Sequence, residues 1–298
     1  QYYKMKKRSI RKALILSFTT LLMTQCGGGN EDVINKTIEE TVNTNQEVSP
    51  RIEIDTTDYD YEFVPPSPIQ IASILRKANM PYEDGLTNPT ENADNYASQY
   101  KQSLNFGVYA CDLAYCVTNN KSTEAAEYLK TVKKMSAKVG LSAVFDNESL
   151  IKRFENNIGN QDSVMSLLFD IQMLTDDYIQ DNELRDLSVI YFTGAWVEGM
   201  NIGTHTIVGN TDHKISVLLS EQMTIAESII RGLRAVENPS NDLVDLTDHI
   251  EEVVDAYHNL WSVKKEGENI EYLDVELTHD EVVSISDMIL ELREEITM

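Results

Sequence analysis

Cysteine is scarce in this chain of 298 residues, which contains only Cys26, Cys111 and Cys116. Three cysteines are too few to form the framework of a disulfide-stabilised protein. Cys111 and Cys116 are five residues apart, and on a helix two such positions point about 140° away from each other. That direction excludes a disulfide between them. We therefore expect two free, buried thiols that behave as small hydrophobic side chains.

Basic residues are also few, since 25 Lys and Arg stand against 49 Asp and Glu, for a formal net charge of −24. The first 25 residues contain six basic side chains and no acidic one, so the remainder has a net charge near −30. Such a chain is not attracted to nucleic acid or to an anionic membrane surface, and we expect no nucleic-acid partner. The segment 241–298 is the most acidic. We interpret it as a solvated surface; weak cation binding or docking to a basic partner is the alternative.

Sequence motifs of catalysis are absent. The chain has no Gly-x-Ser-x-Gly, no phosphate-binding loop, no dinucleotide-binding glycine pattern, no His-Glu-x-x-His and no Cys-x-x-Cys. These motifs carry the chemistry of common hydrolases, nucleotide-binding proteins and zinc enzymes. Their absence makes a non-enzymatic role the stronger expectation. The sequence indicates no catalytic residues, no cofactor and no metal site.

The apolar run from Ala13 to Met23 is too short to span a bilayer. A basic segment precedes it and Cys26 follows it, which is the order of a secretory signal. With a cysteine in place of the usual cleavage site, residues 5–26 resemble a bacterial lipoprotein signal peptide. The resemblance implies that Cys26 becomes the lipidated, palmitate-bearing first residue of a mature protein anchored to the membrane of the cell envelope, on a periplasmic or surface face. An ordinary cleaved signal or an apolar helix is the alternative.

The rest of the chain divides into two parts. After the signal segment 1–26, residues 27–65 are polar and acidic without apolar periodicity, which predicts a flexible linker. Residues 66–298 show helical periodicity throughout and form the predicted helical domain. Thr278 and Glu281 form a capping box for the last helix. We expect a single-domain, all-α bundle of about nine helices, with a short strand as an option at 269–276. The other helices are predicted at 68–79, 92–118, 122–139, 147–158, 162–180, 183–208, 213–236 and 241–265.

Two of these helices have almost no charged residues. Asp112 is the only charge between Lys101 and Lys121, and Glu198 is the only charge between Asp186 and Asp212. A helix that is apolar on nearly every face is usually central in a bundle. A carboxylate there must be paired, hydrogen-bonded or protonated. We therefore expect Asp112 and Glu198 to be buried and close together.

These two acids define a candidate site. If the two helices pack together, the side chains can face one polar pocket that holds a small ligand or a metal. The interpretation that we favour is a hydrogen-bonded network that fixes the packing of the helices. The candidate pocket residues are Tyr109, Asp112, Tyr115, Trp196, Glu198, Asn201 and His205.

The helix 241–265 offers a weaker candidate. His249, Asp255 and His258 belong to two sets of residues that each share a helix face at spacings used by metal sites. The sets are Glu251, Asp255 and His258, and Asp245, His249 and Glu252. A helix with so many acidic residues produces such spacings by chance, so we interpret them as part of a solvated face.

Three segments carry a resemblance to a known group. They are Tyr109-Ala-Cys-Asp-Leu-Ala-Tyr115, Glu127-Tyr-Leu-Lys130 and Gly194-Ala-Trp-Val-Glu-Gly199. They resemble helical lipoproteins, without an assigned activity, from Bacteroidetes-type Gram-negative bacteria. The resemblance implies an all-α protein attached to the cell envelope and provides no catalytic residues.

Two functions are compatible with these observations. The first is a binding or scaffold module of the envelope with a protein partner, which requires a well-packed bundle in which Asp112 and Glu198 are hydrogen-bonded. The alternative is a small-ligand-binding protein or a hydrolase-like enzyme. It requires a cavity into which Asp112, Glu198 and His205 converge.

Overall fold

Helices make up nearly all of the regular structure. The computed structural model describes residues 82–207, 213–265 and 275–298. Within these ranges it contains ten α-helices, one 3-10 helix and no β-strand, which confirms the predicted all-α bundle. All described residues belong to one compact unit, Tyr61–Met298. The predicted signal segment, linker and helix 68–79, and most of the optional strand, lie outside the described residues.

The helices follow one another with short connections. The 3-10 helix Thr90–Asp94 comes first. The α-helices are α1 (Gln99–Thr118), α2 (Ser122–Lys138), α3 (Ser142–Phe145), α4 (Glu148–Asn157), α5 (Gln161–Asp181), α6 (Arg185–Ile207), α7 (His213–Arg234), α8 (Asn241–His258), α9 (Trp261–Lys265) and α10 (His279–Thr297).

Local sequence signals determine several helix ends. Thr278 and Glu281 form the predicted capping box at the start of α10, in which each side chain bonds the backbone N–H of the other residue. Gly140 follows α2 with φ +84°, the left-handed conformation in which glycine commonly ends a helix. The side chains of Asn147 and Asn160 accept N–H bonds at the starts of α4 and α5.

Two predicted helices differ from the structure. The helix expected at 92–118 starts at Gln99, because the Ser98 side chain accepts the Lys101 N–H and caps the helix there. The helix expected at 241–265 is interrupted after His258. The side-chain amide of Asn259 bonds the Asp255 carbonyl at 2.7 Å, a local bond that competes with continuation of the helix.

The centre of the bundle is the contact between α1 and α6, the two helices with almost no charge. Each packs more extensively against the other than against any further helix. Gly107 of α1 lies against the backbone of α6, and a Cβ atom there would be 2.7 Å from the carbonyl carbon of Tyr191. Gly194 of α6 lies equally close to the carbonyl carbon of Leu104. The absence of a side chain at both positions is what allows the two backbones to approach so closely.

The remaining helices surround this pair. α2 packs on α1, α7 pairs with α8, α4 pairs with α5, and α10 packs against α6, α8 and α1. Cys111 and Cys116 of α1 are buried and free, which confirms the prediction for both thiols. The segment 82–98, which precedes α1, buries Leu86, Thr87 and Asn88. It therefore belongs to the packed interior although it is mostly irregular.

The close crossing predicts that a methyl group at either glycine is costly. Gly107→Ala or Gly194→Ala should lower the free energy of unfolding by about 3 kcal/mol or more, because the added Cβ has to separate two backbones. Gly140→Ala is the matched control. It meets no atom within 4 Å but strains a left-handed residue, at a cost of about 1 to 2 kcal/mol. Chemical denaturation measures all three. Equal losses at Gly107 and Gly140 would contradict the close crossing.

Candidate functional site

Asp112 and Glu198 meet where α1 and α6 pack together. Both side chains are 0% exposed, and they are close enough that each affects the pKa of the other. Their burial and proximity confirm the expectation drawn from the two uncharged helices. The Asn201 side chain, one turn after Glu198, is also buried and lowers the pKa of the Glu198 carboxyl group.

Arg293 of α10 supplies the positive charge. Its Nε lies 3.1 Å from Glu198 Oε2, and its Nη2 lies 3.5 Å from Glu198 Oε1. Nη2 also donates to the Leu86 carbonyl oxygen at 3.3 Å. An arginine fork on a carboxylate combines charge attraction with directional hydrogen bonds. The Arg293 side chain is 20% exposed, so it forms the edge of an otherwise enclosed cluster.

Asn88 connects the cluster to the segment 82–98. Its backbone N–H donates to Asp112 Oδ2 at 3.1 Å, and its carbonyl oxygen accepts the Tyr128 hydroxyl at 3.1 Å. Its side-chain amide donates to the Tyr96 hydroxyl at 2.9 Å and accepts from Asn92 at 2.9 Å. Asn88 is 1% exposed, so these bonds replace the hydrogen bonds to water that its amide groups lose on burial. We call Asn88, Asp112, Glu198, Asn201 and Arg293 the buried polar cluster.

The last turn of α10 is tied to the same region. The Asn105 side chain donates to the Ile296 carbonyl at 2.7 Å, and the Tyr96 hydroxyl donates to the Thr297 carbonyl at 3.2 Å. Lys101 Nζ donates to the Glu295 carbonyl. The last carbonyls of a helix have no partner within the helix. Here side chains of α1 and the preceding segment satisfy three of them, and Arg293 thereby has a firmly positioned backbone.

The two carboxyl groups have different electrostatic surroundings. Burial raises the pKa of Asp112 well above its ordinary value and the neighbouring Glu198 raises it further, against the opposing effects of the Asn88 N–H and Arg293. Burial also raises the pKa of Glu198, but Arg293 opposes that rise by charge and by hydrogen bonding. Glu198 therefore has a cation to stabilise its charge, whereas Asp112 depends on a single backbone N–H.

The three aromatic candidates, Tyr109, Tyr115 and Trp196, are all buried. Tyr109 donates its hydroxyl to the Pro89 carbonyl at 2.9 Å. The Tyr115 hydroxyl accepts the Glu83 N–H at 3.0 Å, and its ring stacks on Tyr82 with 5.2 Å between ring centres. Trp196 is 1% exposed, and its indole N–H has no hydrogen-bond partner among the described groups. Tyr109 and Tyr115 thus attach the segment 82–98 to α1.

His205 does not join the cluster. Its side chain is exposed, and its Nδ1 lies 3.1 Å from the carbonyl oxygen of Asn201 in its own helix. The structure therefore does not bring Asp112, Glu198 and His205 together in one cavity, as the ligand-binding or enzymatic alternative requires. His205 is two turns beyond Glu198, and at that position α6 has already reached the surface.

The histidines of α8 contact acidic side chains of neighbouring helices. His249 Nδ1 lies 2.7 Å from Glu295 of α10, and His258 Nε2 lies 3.1 Å from Glu227 of α7. Asp255 is exposed. Within the described ranges, no group of three or more His, Cys, Asp or Glu side chains is placed to hold a metal ion.

A cavity of about 50 Å³ lies elsewhere in the bundle, between α1, α2, α5 and α6. Its lining is mainly apolar and includes Phe106, Leu129 and Tyr191. Pockets that bind small molecules are several times larger, on the order of 300 Å³ or more. This cavity does not open onto Asp112 or Glu198, neither of which is among its lining residues.

Sequence reasoning missed Arg293 and Asn88. Arg293 did carry a signal, because it is the only Lys or Arg of α10 and lies between the apolar positions Ile289 and Ile296. Both of those side chains are fully buried, so the arginine is directed towards the core. Asn88 carried no comparable signal, since an Asn-Pro pair is equally typical of a solvated turn.

Comparison of the chain with protein-family models, with curated proteins and with solved structures gives no match. The site therefore has to be interpreted from its own geometry. None of the helices in the described part of the chain combines the length and the apolar character needed to cross a membrane.

The cluster predicts a strong dependence of stability on Glu198. Glu198→Ala should lower the free energy of unfolding by about 3 to 5 kcal/mol, because it leaves Arg293 without its buried partner. Glu291→Ala is the matched control on the exposed face of α10, and should change it by no more than about 0.5 kcal/mol. Urea denaturation of both variants measures the difference. A small effect at Glu198 would show that the ion pair does not hold α10 in place.

Proposed function

We propose that this protein is a lipid-anchored component of the cell envelope whose helical domain acts as a binding or scaffold module for a protein partner. The anchor is Cys26, at the end of the segment that resembles a lipoprotein signal. A single lipid chain binds a membrane only weakly, so stable attachment requires more than one acyl chain on that residue. The resemblance to envelope lipoproteins of Bacteroidetes-type bacteria is part of this proposal.

The observation that carries the proposal is the complete enclosure of the two candidate acids. Asp112 and Glu198 are 0% exposed, Arg293 donates to Glu198, and the Asn88 N–H donates to Asp112. Groups used in this way hold helices together and are not available to a substrate. The enclosure therefore favours recognition at the surface over chemistry in the interior.

The alternative is a small-ligand-binding protein or hydrolase-like enzyme with a pocket around Asp112, Glu198 and His205. That function needs a concave site several hundred Å³ in volume with its polar groups convergent. The exposed position of His205 and the burial of both acids weigh against it.

Lipidation predicts a simple result in cells. Labelling with a fatty acid analogue should mark the wild-type protein and direct it to the membrane fraction, whereas Cys26→Ala should lose the label. Cys111→Ala is the control, because that thiol is buried in α1 and should not affect labelling. Equal labelling of Cys26→Ala, or none of the wild type, would refute the anchor.

Surface recognition predicts cross-links from the outside of the bundle. A photo-reactive residue is placed in intact cells at Phe169 on α5, at Asp248 on α8 or at Glu291 on α10, three exposed positions on different helices. At least one should give a discrete adduct with another envelope protein, and the others serve as controls for random collision. A small molecule that raises the melting temperature of the wild type but not of Glu198→Gln would contradict this proposal and favour the alternative.

A further inference from the structure

The charges of the buried polar cluster do not balance if every group is ionised. Arg293 keeps its positive charge at any ordinary pH. Two ionised carboxylates beside it would leave one negative charge at a place where both acids are 0% exposed. A buried charge without a partner is very unfavourable, and a protein usually avoids it by protonation. One bound proton would make the cluster neutral.

The hydrogen bonds indicate where that proton lies. Asp112 Oδ2 accepts the Asn88 N–H, whereas Asp112 Oδ1 is a buried atom that receives no donor. A carboxylic acid has one accepting oxygen and one O–H group. Asp112 fits this pattern, with Oδ2 as the acceptor and Oδ1 as the hydroxyl. Both oxygens of Glu198, in contrast, accept N–H bonds from Arg293, as an anionic carboxylate does.

We propose that Asp112 and Glu198 form a built-in proton-binding site, in which one proton resides on Asp112 Oδ1 and is donated in a hydrogen bond to the Glu198 carboxylate held by Arg293. The bound proton removes the repulsion between the two carboxyl groups. It thereby keeps the segment 82–98, through Asn88, and α10, through Arg293, attached to α1 and α6. The site does not depend on lipidation of Cys26 or on any partner of the surface.

The other titratable groups near the pair remain neutral over the relevant pH range. Burial raises the pKa of every one of them above its ordinary value, so each is uncharged at neutral pH. His205 of α6 is exposed and turned to its own backbone. The groups are Tyr109, Cys111, Tyr115 and Cys116 of α1, Tyr128 of α2, and Tyr96 of the segment 82–98.

Because of the bound proton, the contribution of Asp112 to stability falls as the pH rises. In the unfolded chain Asp112 releases its proton near pH 3.9, the ordinary value for aspartate. In the folded protein it holds the proton to a higher pH. Its contribution to stability is therefore complete below about pH 4 and is lost as the pH rises through the folded pKa.

The test compares substitutions that fix the protonation state. Asp112→Asn has the shape of the protonated acid but cannot ionise. Above about pH 4, the ratio of its folding equilibrium constant to that of the wild type should rise by up to about tenfold per pH unit, until the pKa of Asp112 in the folded protein is passed. Glu198→Gln removes the anion that Arg293 requires and should destabilise the protein. Asp287→Asn, an exposed position on α10, is the matched control for the chemical change and should follow the wild type.

Two denaturation results would overturn the proposal. If Asp112→Asn and the wild type run parallel from pH 4 to pH 9, Asp112 binds no proton. If Glu198→Gln is tolerated and Asp112→Asn is not, the proton lies on Glu198.

Infrared spectroscopy of the full wild-type chain decides the question even where a variant does not fold. A protonated carboxylic acid gives a C=O band at higher frequency than a carboxylate. We expect that band at neutral pH in the wild type and its loss in Asp112→Asn. Its absence from the wild type would refute the proton-binding site.

Discussion

A carboxylate inside an apolar bundle requires a cation at a fixed position, and for Glu198 that cation is Arg293, 95 residues further along the chain. The requirement determines where α10 lies, because the guanidinium must reach Glu198 while its helix packs on α6 and α8. It also orders the segment before α1, because the same guanidinium bonds the Leu86 carbonyl across 207 residues of sequence. A buried polar network contributes to stability only when all its members are satisfied, and removal of one leaves the others without partners. Segments distant in sequence therefore form their native contacts together.

The ion pair depends in turn on how closely α1 and α6 approach. Gly107 and Gly194 bring the two backbones into contact, and Asp112 and Glu198 follow them by little more than one turn of each helix. Gly107 is five residues before Asp112, and Gly194 is four residues before Glu198. The close crossing and the carboxyl pair therefore belong to one packing arrangement. Small residues at a helix crossing commonly reflect backbone proximity. Here they also bring two acidic side chains close together. Sharing one proton between the two carboxyl groups is then more favourable than ionising both.

The sequence allowed the fold class and three of the five residues of the buried polar cluster to be predicted. Hydrophobic periodicity and capping residues located most helices within a few residues of their observed ends, because both signals act within one or two turns. The contrast in charge identified Asp112 and Glu198, since a lone acid in an uncharged helix has few explanations other than burial. It did not identify Asn88, because a partner brought in by tertiary packing leaves no local pattern. Arg293 does carry a local pattern, since it lies between apolar positions of α10, but that pattern does not say which acid it meets. His205 was wrongly grouped with the pair, because it shares a helix face with Glu198 but lies at an exposed position. Helical spacing gives a shared face, but it does not say where along that face the helix leaves the core.

The enclosed cluster and the charge of the chain bear on the proposed function together. The two acids of the interior are fully buried, so any partner has to be recognised by exposed side chains. On α8 these are largely acidic, as at Asp245, Asp248 and Glu251. A surface of this sign repels an anionic leaflet, and electrostatic attraction cannot keep such a domain at a membrane. Under the proposed function, the lipid on Cys26 supplies the membrane affinity that the folded domain lacks. The same repulsion would turn the acidic face away from the lipid, towards a neutral or basic surface of another envelope protein.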